Sequence, residues 1–375
     1  MQRRQFLKRS AYLSVGTALV PQLLASCSST PRAFRGKRVV LIHLEGGNDG
    51  LNTFVPFRDD RYFSNRPTLA LKPADLIDLN GEQAVPAWAR GLADLYTEGY
   101  LGVFNNVGYP EPNTSHFKSA DIWHSAFTPA EVNSPKTGWV GRFLDRYPDD
   151  SLPKASLALE TSNTFSLLLK GETTAGGNLE ALEHFRWFEE HLEGTNLHAP
   201  VEHPLASYLQ KTMAEAVLTA ETLSEYARPG NGPYPASQLG KDLQQVAGLI
   251  KAGAPTLFFF LRQGGYDTHM GQPGRHEKLL AELGYALKAF ARDLHREGLF
   301  KDTLVLVYSE FGRRVKENRN QGTDHGVGNN VMILTGNPRR AGILNDPPDL
   351  ETLQYRRDVG VKLDFREIYA TILER

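Results

Sequence analysis

The chain contains a single cysteine, Cys27. An internal disulfide is therefore excluded, and whatever domain follows must be stable through packing alone. No block of basic residues or basic stripe interleaved with aromatics is present, and 42 basic residues balance 43 acidic ones. That balance gives no basis for nucleic-acid binding. The one mostly apolar stretch near the start, AYLSVGTALVPQLLA, is too short and too interrupted by glycine and proline for a convincing membrane span. Internal repeats and low-complexity runs are also missing. Glycine and proline, at 34 and 22 residues, are plentiful for a helical bundle and suit a protein with elaborated loops.

What is present begins with MQRRQFLKRS, in which Arg3 and Arg4 precede the apolar segment, and ends that segment with LASC. The pattern reads as a twin-arginine export signal over residues 1–27, closed by a lipobox that makes Cys27 the lipidated first residue of the mature chain. The expected partners are the twin-arginine export machinery and a membrane reached through the lipid on Cys27. The expected location is extracytoplasmic and lipid-anchored, in the periplasm or on the outer membrane if the host has two membranes. Residues 28–36 form a short tether. The remainder, 37–375, is long enough for one large domain.

Within it, KRVVLIHLEGG, YLGVFNNVG, PTLFFFLRQGG, DTLVLVYSEFG and NNVMILTG read as short strands covered on both faces, because their apolar runs are uninterrupted. Val85–Gly99 and Arg275–Gly298 carry helical spacing, and DFREIYATILER closes the chain as a helix. Helix followed by strand at this spacing predicts an α/β fold. The segment at about 151–251 reads as a mainly helical insertion, in which His184, His191, His198 and His203 are scattered among glutamates as solvated side chains.

Four strands break into polar, glycine-rich loops: LEGGNDG, GYPEPNTSHF, GGYDTH and SEFGRR. GTDHG lies before the last strand. Ligands of open α/β sheets bind where such loops converge at the strand ends. Asp49, Asp267, His269, Glu310, Asp324 and His325 are the candidate metal ligands. Imidazole and carboxylate without thiolate suit one or two divalent metal ions, zinc first, then manganese, with calcium or magnesium where oxygen dominates. Ser115, or its neighbour Thr114, is the candidate nucleophile; His116 stands beside both as base or ligand. Arg313 is placed to clamp an anion or to pair with Glu310.

The motifs GGNDGLNTFVPF, NTSHF, GGYDTH, SEFGRRVKENRNQGTDHG and DFREIYATILE together resemble an uncharacterised bacterial family whose members tend to carry twin-arginine signals. That family is similar to the alkaline phosphatase and sulfatase superfamily. The resemblance implies an alkaline phosphatase-like three-layer α/β fold, with a central, mostly parallel sheet between helices, and metal-dependent hydrolysis of a phosphate or related anionic ester by a serine. It assigns Asp267, His269 and His325 to one ion and Asp49 and Glu310 to another, with Glu45 as the alternative to Asp49. No histidine follows the acid of SEFG, so the second ion loses an imidazole unless Asp324 or His116 substitutes, and a one-ion or inactive site stays open as an alternative. The absence of a Cys-x-Pro-x-Arg segment argues against a typical sulfatase. The competing reading is a non-catalytic envelope module binding a glycan, a metal or a protein partner.

Overall fold

The computed structural model describes residues 36–131, 135–149, 151–162, 164–179, 217–226, 230 and 232–374. The expected signal over residues 1–27, Cys27 and His184, His191, His198 and His203 lie outside the described residues. Eleven strands are described: β1 (Arg38–Leu44), β2 (Leu76–Asp78), β3 (Ala84–Pro86), β4 (Leu101–Gly108), β5 (Ala158–Glu160), β6 (Gly177–Asn178), β7 (Phe258–Gln263), β8 (Thr303–Tyr308), β9 (Asn329–Thr335), β10 (Gly342–Ile343) and β11 (Leu363–Asp364). Strands β2 and β3 form a separate hairpin. The others make one sheet in the order β10-β4-β9-β8-β1-β7-β5-β6, with β11 also pairing β4. Every pairing in that sheet is parallel except those of β9 with β4 and β8.

The uninterrupted apolar runs have a simple cause, since both faces are covered. On β1, Val40, Ile42 and Leu44 point to one layer, and Leu41 points to the other. The first layer is built from α1 (Arg90–Thr97), α4 (Gln238–Ala252) and α5 (Gln272–Arg296). The second holds α2 (His116–Ser125), α3 (Trp139–Arg146) and α6 (Phe365–Leu373). Leu280, Leu283, Leu287, Phe290 and Leu294 give α5 its buried stripe. This helix carries the chain from β7 over β1 to β8. It crosses α1 closely because glycines meet there: a Cβ on Gly91 would lie 2.1 Å from the carbonyl oxygen of Gly284.

Two boundaries differ from the sequence expectation. The helix expected from Val85 begins at Arg90, because Val85 and Pro86 are taken up by β3. Residues 158–160 and 177–178 extend the central sheet instead of joining a helical insertion, while α4 does lie over the sheet. Strands of two or three residues are too short to show a period. Among the described residues, no helix is long and apolar enough to cross a membrane.

Strands β1, β7, β8 and β4 all run the same way, so their C-terminal ends open on one edge of the sheet. Strand β9 runs opposite and starts at that edge. The loops after the first four strands, and the loop before β9, therefore meet in one place.

Candidate metal centre

The turn after β1 is forced tight by glycine. Gly46 has φ +114°, and a Cβ there would lie 2.4 Å from the backbone nitrogen of Asp267. Only glycine lets the β1 turn lie directly against the β7 loop. That loop presents Asp267 and His269. His325 arrives from the loop before β9, and His116 is the first residue of α2.

These side chains converge on one carboxylate oxygen. Oδ1 of Asp267 lies 3.1 Å from Nε2 of His325, 3.1 Å from Nε2 of His269 and 3.5 Å from Nε2 of His116. The two nitrogens His269 Nε2 and His325 Nε2 are 2.9 Å apart. Each histidine has its other nitrogen directed at an acceptor. His116 Nδ1 is 2.7 Å from Glu310 Oε1, His325 Nδ1 is 2.8 Å from the carbonyl of Thr114, and His269 Nδ1 is 3.5 Å from Asp324 Oδ1. A carboxylate or carbonyl can only accept, so the short Nδ1 contacts of His116 and His325 suit the tautomer protonated on Nδ1, in which the Nε2 lone pair faces inward, while His325 Nε2 also lies within hydrogen-bond reach of Asp267 Oδ1.

With all three rings protonated on Nδ1, the Nε2 lone pairs and the Asp267 carboxylate would face one another without a proton between them, an arrangement that a cation satisfies. His269 and His325 can share only one proton between their Nε2 atoms, and His116 Nε2 is buried without a hydrogen-bond partner. Zinc bonds of about 2.0–2.1 Å place tetrahedral donors about 3.3 Å apart, inside the spacing found here. His116, Asp267 and His325 thus form a site capable of holding a divalent cation, their ligand atoms all lying within 4.8 Å of one another. His269 adds a fourth donor within reach of Asp267 and His325. The orienting carboxylates Glu310 and Asp324 complete the arrangement that metal-ligating histidines ordinarily show.

Electrostatics follow the same geometry. Burial would raise the Glu310 carboxyl, but hydrogen bonds from His116 and His43 outweigh it and hold the group well below its ordinary range. The bond to Glu310 in turn raises His116. Asp267 is brought down to about 2, with the Arg313 hydrogen bond and His325 overcoming desolvation. His325 is lowered, chiefly by burial.

The remaining expected residues fall elsewhere. Asp49 is not with the histidines: its fully buried carboxylate accepts from Arg66 at 2.6 Å and from Gln272 at 2.5 Å. Glu45 faces Arg262 at 3.3 Å. Glu310 stands behind His116, with both oxygens occupied by His116, Gly46 N and His43. Asp324 lies behind His269 and is paired with Arg314 at 3.0 Å. Arg313 is buried and neither clamps an open pocket nor pairs with Glu310. Its guanidinium donates to the carbonyls of Gly46, Gly47, Tyr266 and Thr323 and to Asp267. Thr114 contributes its backbone carbonyl. Ser115 is exposed at the N-cap of α2, its side chain making no capping bond. The loop around it is anchored on both sides, by Thr114 to His325 and by His116 to Glu310. His43 was not anticipated from the sequence, because it lies within the apolar run of β1. A histidine interrupting such a run is the only signal available.

A family model described as protein of unknown function (DUF1501) matches residues 100–373. No protein of curated function matches the chain. Among solved structures, the C-terminal periplasmic domain of EcEptC from Escherichia coli, in complex with zinc, is 8% identical. That match covers 82% of this chain and 77% of the other, with a TM-score of 0.38. The lipoteichoic acid synthase LtaP from Listeria monocytogenes is 10% identical over 82% and 67% of the two chains, with a TM-score of 0.36. Alkaline phosphatase from the Antarctic bacterium TAB5 is 10% identical over 80% and 92%, with a TM-score of 0.32. Likeness at these levels says nothing of ligand or activity.

Proposed function

The chain belongs to that family of proteins of unknown function, and from this premise we propose that it is a metal-dependent hydrolase of a phosphate or related anionic ester. The observation that carries the proposal is the convergence of His116, His269 and His325 on Asp267, each ring turned so that Nε2 faces inward. Zinc is the ion best suited to a set of three imidazoles and one carboxylate. A bound divalent ion supplies Lewis acidity toward an ester oxygen and lowers the pKa of a nearby hydroxyl.

The chain's own residues supply position and charge. Ser115 offers an exposed hydroxyl on a loop pinned to the centre on both sides, which makes it the candidate nucleophile, with Thr114 beside it as the alternative. The N-terminus of α2, ten residues long, begins at the same point and favours an anionic group there. Glu310 and Asp324 fix His116 and His269, and Arg313 locks the loops that carry Asp267. Placement of this centre outside the cytoplasm, on a membrane reached through Cys27, belongs to the same proposal and rests on the Arg3/Arg4 and LASC signals.

One observation favours a second reading. Arg313, the expected clamp for a substrate anion, is consumed by backbone carbonyls and Asp267, as a metal-dependent binding module without turnover would allow.

Protein stripped with chelator and reloaded with zinc, manganese, magnesium or calcium should be assayed against aryl phosphate monoesters, diesters and sulfates. Metal-dependent hydrolysis that disappears in Ser115→Ala, with metal binding retained, is the expected result. Stoichiometric metal binding with no turnover of any ester overturns the hydrolase in favour of the binding module. Full activity in Ser115→Ala removes the serine.

A further inference from the structure

His43 lies on β1, the strand at the centre of the β7-β1-β8 trio, and is 2% exposed. Its ring stacks on Tyr308 at 5.0 Å between centroids and meets His124 edge-on at 5.5 Å. The same layer holds Leu41, Phe260, Leu306 and Trp123. An apolar residue would fill that position without the desolvation cost of an imidazole. The cost is not even fully offset, since Nδ1 of His43 is buried and has no hydrogen-bond partner. Its Nδ1 only approaches Glu45 Oε1, at 4.0 Å, whereas Nε2 makes a hydrogen bond that a space-filling ring would lack, 2.9 Å from Glu310 Oε2.

Glu310 is held from several directions. Its Oε1 accepts from Gly46 N at 2.9 Å and from His116 Nδ1 at 2.7 Å. Its backbone carbonyl accepts from Ser119 Oγ at 2.6 Å and Trp123 Nε1 at 3.0 Å. These contacts fix the main chain and one oxygen. The second oxygen is fixed by His43, with a longer contact from Ser309 Oγ at 3.3 Å. The carboxylate plane therefore depends on His43, and the plane decides where His116 points its inward nitrogen.

We infer that His43 is a positioning residue of the metal centre, acting through Glu310 to set the tautomer and direction of His116. The inference rests on the metal-centre reading above. Two carboxylate-histidine contacts in series run from the core of the sheet to the site: His43 to Glu310, then Glu310 to His116. His43 Nε2 carries the proton it donates to Glu310, and His116 Nδ1 carries its own, which leaves His116 Nε2 as a donor to a cation.

The test is zinc affinity of the full chain, measured by competition with a chromophoric chelator, so it does not depend on turnover. His43→Phe keeps a ring against Tyr308 and removes the donor. It should weaken zinc binding by up to about tenfold, the low end of the range for a direct outer partner of a metal ligand, because His43 acts one step further out through Glu310. His43→Gln places an amide donor near the former Nε2 and should recover most of that loss. In a Glu310→Gln background, His43→Phe should add little, because the two act as a unit. Unchanged affinity in His43→Phe overturns the inference, as does the full loss appearing on top of Glu310→Gln. Should His43→Phe not fold, His43→Gln against His43→Asn carries the test, since the shorter amide falls short of Glu310 and should bind zinc more weakly. A wild-type chain that binds no zinc removes the metal centre itself; a wild-type chain that binds, with His43→Phe equal to it, removes only the role of His43.

Discussion

Asp49 tests whether the carboxylate of the GGNDG turn is a ligand or a structural ion. It is enclosed at 0% side-chain exposure, with Arg66 at 2.6 Å also at 0%. Burial pushes its pKa up, but the guanidinium of Arg66 more than reverses that and holds it low. Arg66→Ala strands the carboxylate without its partner, and breaking one side of a buried pair costs about 3–5 kcal/mol. Asp49→Asn removes the charge yet keeps the shape, and Arg66 retains Asn52 Oδ1 and the carbonyls of Val315 and Arg314. Its cost should fall at the low end of that range, about 3 kcal/mol, because the Arg66 cation stays buried without its counter-ion but keeps its neutral acceptors. Combining Asp49→Asn with Arg66→Met should bring stability closer to wild type than Arg66→Ala alone, because no charge is left buried. Urea unfolding in excess chelator, followed by tryptophan fluorescence, measures these differences without any contribution from metal. Zinc titration of the same variants should show affinity equal to wild type wherever the protein is folded. Asp49→Asn with an unchanged urea midpoint and abolished zinc binding would refute the structural account.

Glu160 on β5 gives a pH signature. Burial pushes its carboxyl up to about 7 despite Arg262 and the Ser166 amide, so the folded pKa is above the unfolded one. Its stabilising contribution is complete below about pH 4.5 and lost as pH rises through 7, a change of about 3 kcal/mol for a shift of this size. The stability gap between wild type and Glu160→Gln should therefore change between pH 5 and pH 8, and a constant gap in urea unfolding sinks the assignment. For the amino-terminal signal, Cys27→Ala should release the exported protein from the membrane fraction; unchanged attachment removes the lipid anchor.

The strands were legible because burial on both faces leaves a mostly apolar run, and all five such runs became sheet strands. Asp267, His269 and His325 were legible for a related reason: each sits just beyond a buried strand or just before one, where a polar side chain needs a purpose. Asp49 met the same criterion and went elsewhere. Its partner Arg66 is 17 residues away and reaches it only through the fold, which local sequence does not encode. His43 shows the converse. Its neighbours in β1 are apolar, and its role depends on Glu310, 267 residues downstream. Short edge strands such as β5 and β6 escape for lack of period, and the pull of the β2–β3 hairpin on Val85 is invisible in a helical spacing pattern.

Arg313 carries the last consequence for function. Beside Glu310 in sequence, it reads as an anion clamp, and a free guanidinium at the site would bind an ester whether or not a metal were present. In the fold it instead ties the β1 turn, the β7 loop and the loop before β9 together through Gly46, Gly47, Tyr266 and Thr323. Its one charged contact is with Asp267, at 2.7 Å. Arg314 is likewise paired, with Asp324. On the hydrolase proposal, with these charges out of reach, an ion held by Asp267 and the histidines would have to complement the anion, aided by the first turn of α2. Arg313 thus acts on the site by fixing the position of Asp267. If the proposal holds, binding of an anionic ester and binding of the metal should be coupled, since Arg313 and Arg314 are already paired with Asp267 and Asp324.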